Sequence, residues 1–190
     1  MRLARRRTSN HCIPVTKDGV SVCISASLLL FFEHHRCIEA DLFTIMRPFP
    51  YKVDYNDHFE TPEVAYRDIL PLLDFVSGKS RVEHSIYDPY YCNGRFKTLM
   101  KELGFSNVIH ECRDFYKDID KNQVPNHDTL ITNPPYSDQH KEKCLEFVLN
   151  QLRSKGRPFF VLMPNYVAAR EYYRKLVEKV RTLYCTSVYA

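Results

Sequence analysis

The chain lacks tryptophan, has only 5 glycines among 190 residues, and nowhere runs to the ~20 consecutive apolar residues that a membrane-spanning helix needs. So little glycine excludes a collagen-like tract and a long flexible linker. The longest apolar stretch, "ISASLLLFF", is about half a span, so no membrane partner is expected. Paired-cysteine motifs are missing as well. The 7 cysteines are odd in number and scattered, with no Cys-x-x-Cys pair. That pattern argues against a disulfide framework and for a reducing compartment, cytoplasmic or nuclear. Neither sign of charge dominates, with 27 basic against 23 acidic residues. Residues 1–45 hold 6 basic and 4 acidic residues, which leaves 21 and 19 for the remainder. A net charge that small is compatible with nucleic-acid binding without indicating it.

Residues 1–45 differ in character from the rest. "MRLARRRTSN" is basic and carries serine and threonine, as a mitochondrial transit peptide would. Asp18, Glu33, Glu39 and Asp41 count against that reading, and no small-residue cleavage site follows the apolar run. His11, Cys12, Cys23, His34, His35 and Cys37 match no standard zinc-finger spacing, so no metal is expected. The segment reads as a poorly ordered extension, with Met46-Arg-Pro-Phe-Pro as a natural beginning for one domain over 46–190.

From there the pattern is regular. Thr61 suits an N-cap and Pro62 the first helical position of a helix carrying Val64, Ile69 and Leu72. "VEHSIYDPYY" predicts a strand, "GRFKTLMKELGF" a helix stopped by Gly104, and "SNVIHE" a short strand. "HDTLITNPPY" predicts a strand, and a helix follows with Cys144, Phe147, Val148 and Leu152 on one side and Gly156 as its stop. "RPFFVLMPN" predicts a nearly continuous apolar strand, "VAAREYYRKLVEKV" a helix and "TLYCTSVYA" a last strand. Such alternation implies an α/β fold built on a mostly parallel sheet.

In an open α/β sheet, ligands bind beyond the carboxyl ends of the strands, where strand order reverses. Asp88, Asp114 and Asn133 fall at such ends. An acid after the first strand and a glycine before the next helix suit a ligand with ribose or amino groups. Taken alone, Asp88-Pro89 is equally an ordinary turn. Asn133-Pro134-Pro135-Tyr136 is more specific, because two prolines cannot continue a sheet and must hold the backbone rigidly as it leaves.

With that tetrapeptide at a strand end, residues 57 to 180 resemble the class I S-adenosylmethionine-dependent methyltransferases that methylate planar amino nitrogens. These include the adenine-N6 enzymes of DNA and RNA and the glutamine methyltransferases of release factors. "ETPEVAYRDIL", "YDPYYCNGRF" and "DFY" are similar to the segments that hold the cofactor, and all fall in the family's order. The resemblance implies a Rossmann-like sheet and S-adenosyl-L-methionine held by Thr61, Pro62, Asp88, Pro89, Tyr90, Cys92, Gly94, Glu111, Asp114, Phe115 and Asn133. It implies catalysis by Asn133, Pro134, Pro135 and Tyr136. The Asn133 side-chain oxygen and the Pro134 carbonyl would accept the amino N–H groups, and Tyr136 would stack on the base.

Two departures from the family stand out. Cys92 occupies a place the family gives to glycine, leaving only Gly94 in the loop. As a nucleophile Cys92 would lack the Pro-Cys pair of the cytosine-C5 enzymes. The family's sheet ends in an edge hairpin, for which no chain remains after "TLYCTSVYA". The sheet is therefore expected to be incomplete at its C-terminal edge, truncated or completed by a protein partner. Adenine-N6 methylation of RNA or DNA is the leading expectation. The alternatives are glutamine N-methylation of a protein, or a non-catalytic subunit that binds nucleic acid or scaffolds a partner. His58 reads as a turn residue or a cofactor neighbour. Tyr166, Tyr172 and Tyr173 are expected to pack the last helix.

Overall fold

Two segments of this chain are apolar on both sides. Thr129–Thr132 is buried at every position, and Phe159–Pro164 at all but two. A strand with two apolar faces has to be covered on both, which requires a parallel sheet between two helical layers. The computed structural model has that arrangement; it describes residues 15–17, 20–22, 28–32, 50–54, 57 and 60–185. A short antiparallel pair, β1 (Val15–Lys17) and β2 (Val20–Val22), stands apart from the main sheet. The main elements follow in order: β3 (Leu28–Phe32), α1 (Glu63–Ser77), β4 (Ile86–Tyr87), α2 (Arg95–Glu102), β5 (Val108–Ile109), α3 (Phe115–Asp120), β6 (Thr129–Thr132), α4 (His140–Lys155) and β7 (Phe159–Pro164). A 3-10 turn at Asn165–Ala169 then leads into α5 (Glu171–Cys185).

The five main strands lie in the order β3-β7-β6-β4-β5, all parallel. The chain runs from β4 outward to β5, crosses back over β4 to β6, and continues to β7. Strand order therefore reverses between β4 and β6, and a crevice opens beyond their carboxyl ends. Successive side chains of each strand serve opposite layers. Ile86, Ile131 and Phe160 pack with Tyr66, Ile69 and Leu73 of α1 and with Phe96, Leu99 and Met100 of α2. Tyr87, Leu130, Phe159 and Val161 pack with Phe115 of α3 and with Cys144, Leu145, Val148 and Leu152 of α4, while Tyr172, Tyr173 and Leu176 of α5 close that side. Each fully buried Leu, Ile or Phe contributes about 1.5–3 kcal/mol, so these stripes hold the helices more than helix propensity does.

Three expectations need correction. Pro62, not Thr61, is the N-cap of α1; its carbonyl accepts the Ala65 N–H at 3.1 Å and no side chain caps the helix. Residues 182–185 continue α5 rather than forming a strand, because extending an existing helix costs less than starting a new element. The neighbour of β7 in the sheet is β3, from within residues 1–45, and not the segment after 181. The histidines and cysteines considered for zinc, and His58, lie outside the described residues. Among the described residues, no helix is long and apolar enough to cross a membrane.

Asp128 ties the start of β6 to the segment entering β4. Its carboxylate accepts the Ser85 N–H at 2.9 Å, the Ser85 hydroxyl at 3.1 Å and the Lys79 ammonium at 2.8 Å. Burial opposes ionisation, but the Lys79 and Ser85 bonds outweigh it and bring the carboxyl from 3.8 down to about 2. A folded value below the unfolded one stabilises the fold above the unfolded value, and the gain disappears as pH falls through the folded one. Asp128→Asn should therefore melt below wild type at pH 7, and thermal melts should converge as pH drops from about 4 to about 2.

Candidate functional site

At the switch point, three strand ends meet around one carboxylate. Asp88, 5% exposed, follows β4. Its Oδ1 accepts the Thr132 hydroxyl from the end of β6 at 2.5 Å and the Tyr90 N–H at 3.2 Å. Its Oδ2 lies 3.4 Å from Nδ1 of His110, the residue after β5, and the same nitrogen is 3.3 Å from the Asp88 carbonyl. Burial pushes the Asp88 carboxyl up, while His110, the Thr132 hydroxyl and the Tyr90 amide pull it down. A carbonyl can only accept, so His110 Nδ1 carries a proton. The other ring nitrogen, Nε2, is buried with no hydrogen-bond partner.

These groups line a cavity together with Glu60, Thr61, Tyr66, Tyr90, Tyr91, Cys92, Arg95 and Asn133. Thr61 is buried and its hydroxyl bonds Tyr66. Glu60 Oε1 accepts the Arg95 N–H at 3.1 Å, which joins the segment before α1 to the start of α2. The cavity holds about 30 Å³, far below the roughly 300 Å³ at which small-molecule sites begin. Tyr91 is the reason: its ring stacks on His110 with centroids 4.8 Å apart and planes 22° apart. Gly94, at φ +88°, permits this, since a Cβ there would sit 2.6 Å from the Tyr91 hydroxyl.

Cys92 lies in the left-handed region at φ +46°, a conformation that costs most side chains roughly 1–2 kcal/mol. Glycine would fit it without strain. The backbone at this position thus has the conformation that glycine favours. Burial, then the charge of Glu60, raise the Cys92 thiol to about 11. It is a protonated thiol at neutral pH and a poor nucleophile.

The Asn133–Tyr136 loop is held from outside the sheet. Asp57 Oδ1 accepts the Tyr136 N–H at 2.8 Å and the Ser137 N–H at 3.1 Å, and Oδ2 accepts the Ser137 hydroxyl and the Asp54 N–H. Buried Lys141 donates to the Tyr136 carbonyl. Pro134 and Pro135 are buried, and Tyr136 keeps 37% of its surface.

The structure thus brings Thr61, Asp88, Tyr90, Cys92 and Asn133 together around one cavity. Pro62 is exposed, Pro89 is buried, and Gly94 serves as N-cap of α2. Three expected ligand contacts lie elsewhere. Glu111 points to solvent beside Arg113, 3.6 Å away. Asp114 caps α3 through the Lys117 N–H at 3.1 Å. Phe115, 1% exposed, packs in the core against Tyr90 and Phe147. Sequence reading missed His110, Glu60, Arg95 and Asp57. The period of two in β5 could have found His110, which shares its face with core residue Val108 and leaves Glu111 on the other.

A second cavity of about 460 Å³ lies between α3 and α4, lined by Tyr51, Lys52, Tyr116, His140 and Lys143 among others. His140 Nε2 donates to the Lys52 carbonyl at 3.0 Å, so Nδ1 accepts from the Tyr116 hydroxyl. Tyr116 in turn lies 3.3 Å from the Tyr90 hydroxyl, which links the two cavities. Among the described residues no group of acidic, histidine and cysteine side chains could hold a metal ion. Comparison of the chain with protein-family models, curated proteins and solved structures found no match.

The Asp57 clamp has a direct test. Burial raises its carboxyl, but bonds from Ser137, Tyr136 and Asp54 more than offset this and leave it below its ordinary 3.8. The clamp is therefore fully formed above that value and loosens as pH falls below it. Losing charge-assisted bonds of about 1.5–3 kcal/mol should make the Tyr136 peptide bond of Asp57→Ala far more sensitive to chymotrypsin at pH 8 than that of wild type, with cleavage mapped by mass spectrometry.

Proposed function

We propose that this protein is an S-adenosylmethionine-dependent N-methyltransferase with a Rossmann-like sheet, acting on an exocyclic amino nitrogen, with adenine N6 in RNA or DNA as the target. One observation carries the reading. The rigid Asn133-Pro134-Pro135-Tyr136 loop stands at the switch point beside a buried acid and a glycine-type loop, the crevice where an α/β sheet takes its ligand.

The polar groups suit the cofactor. Asp88 offers a carboxylate at the mouth of the 89–94 loop, His110 Nε2 offers an unpartnered polar atom to a ribose hydroxyl, and Glu60 and Thr61 add polar walls. In this reading His110 takes the part expected of Glu111. The space admits such a ligand only after Tyr91 swings off His110, so binding is coupled to opening of that loop.

When bound, the cofactor supplies a methyl group on a positively charged sulfur. The chain's own residues prepare the acceptor. An aromatic amine is a poor nucleophile because its lone pair is delocalised into the ring. The Asn133 side-chain oxygen and the Pro134 carbonyl accept its two N–H groups and draw the nitrogen towards tetrahedral geometry, with its lone pair aimed at the methyl. Asp88, His110, Glu60 and Thr61 would hold the cofactor, which would supply its methyl from sulfur to that nitrogen, and one amino proton would leave to solvent. Adjacent prolines fix φ and hold that carbonyl still, and Asp57 holds the far side of the loop.

Calorimetric titration of the full chain with S-adenosylmethionine should show one site. Incubation with adenosine-containing single strands should give N6-methyladenosine by mass spectrometry. Asn133→Ala should lose about 10²–10³ in transfer rate measured at saturating cofactor. His110→Ala should weaken the cofactor instead. A folded wild type that does not bind the cofactor would sink the proposal.

A further inference from the structure

Tyr136 and Tyr166 are 37% and 45% exposed, at the ends of adjacent strands. Thr132 of β6 pairs with Val161 of β7, so both residues lie beyond the carboxyl ends of adjacent strands, Tyr136 four residues past Thr132 and Tyr166 five past Val161. The expectation that Tyr166 packs the last helix is therefore corrected. Val167, 0% exposed, anchors the 3-10 turn in the core and leaves Tyr166 outside, whereas Tyr172 and Tyr173 do pack against the core. Burial, then the neighbouring Tyr166, raise the Tyr136 phenol. The Arg170 guanidinium lies 5.4 Å from the Tyr166 ring centroid. Among the described residues neither Arg170 nor Arg174 makes an ion pair, while the nearby Glu171 is bound to Lys175 at 2.8 Å. Two partly exposed rings beside an arginine without an ion pair, next to a candidate transfer site, form a surface suited to something flat and anionic.

We infer that Tyr136, Tyr166 and Arg170 form a stacking platform for the unpaired bases of single-stranded nucleic acid, with Arg170 and Arg174 facing its phosphates. The inference rests on the reading above and narrows its substrate to a single strand. Bases stack on aromatic faces whatever their sequence, and arginine adds charge attraction to both ring and backbone. A peptide side chain such as glutamine gives two exposed rings nothing comparable to grip. The Asp57 clamp fixes Tyr136 before the strand arrives, so little ordering is needed on binding.

The test is fluorescence anisotropy of the full chain with labelled 12-residue adenosine-rich RNA and DNA strands and with the matching duplex, across a salt series. Wild type should bind the single strands more tightly than the duplex. Tyr166→Ala should weaken single-strand binding by about tenfold or more, while Tyr166→Phe stays within about twofold, since the ring rather than the hydroxyl is used. Arg170→Ala should lower the slope of log affinity against log salt by about 0.7. S-adenosylmethionine affinity should be the same in all three variants, which also shows that they are folded. Whether RNA or DNA binds better identifies the source of the bases. Wild-type affinity in Tyr166→Ala, or a preference for duplex, would overturn the platform, as would cofactor binding with no oligonucleotide binding; the last outcome would leave the methyltransferase reading standing. Oligonucleotide binding without cofactor binding would do the reverse.

Discussion

A single carboxylate, that of Asp88, joins three strand ends at the point where the sheet reverses its order. It takes the Thr132 hydroxyl from β6, faces the His110 ring beyond β5, and accepts the Tyr90 amide from its own loop. A buried acid is costly unless each of its oxygens has partners. Those partners are the groups that shape the crevice, so the condition for burying the acid is also the condition for building the site. Removing the carboxylate would leave Thr132 and the His110 ring without the group that orients them, and nothing else described in the structure fixes both.

The remainder of the site is assembled from segments far apart in sequence. Asp57 and Glu60 both lie before α1. One grips the backbone of the loop after β6, the other the first amide of α2. Asp57 and Glu60 thus fasten the chain before α1 on both sides of the switch point. Tyr91 lines the cavity between them. The aromatic and imidazole chain from Tyr90 through Tyr116 to His140 continues the wall towards the second cavity, with proton positions set by the Lys52 carbonyl at its end. A site built this way responds as a unit, because each contact constrains the next.

Much of the architecture was legible in the sequence because its signals are local. The continuous apolar run of β7, the Asn-Pro-Pro break after β6 and the glycine stop at Gly156 each report a backbone constraint directly, and together they place the acid and the carboxamide at strand ends. What stayed hidden depends on long-range pairing. Leu28–Phe32 reads as an apolar run in an odd segment, and only its parallel pairing with Phe160–Pro164 makes it a sheet edge. The choice between His110 and Glu111 turns on a one-residue register that a two-residue strand states weakly. The side chain of Cys92 gave no sign of the left-handed backbone at that position, which glycine would adopt more readily. Tyr166 resembled its helical neighbours in sequence, and the 3-10 turn set it apart.

The β4–β6 switch point is the proposed cofactor site. Hydrogen–deuterium exchange of the full chain, with and without saturating S-adenosylmethionine, tests this most directly. Protection concentrated in residues 88–94, around His110 and at Asn133 is the predicted result. Protection confined to the second cavity, around Tyr116 and residues 138–143, or spread without a centre, would contradict it.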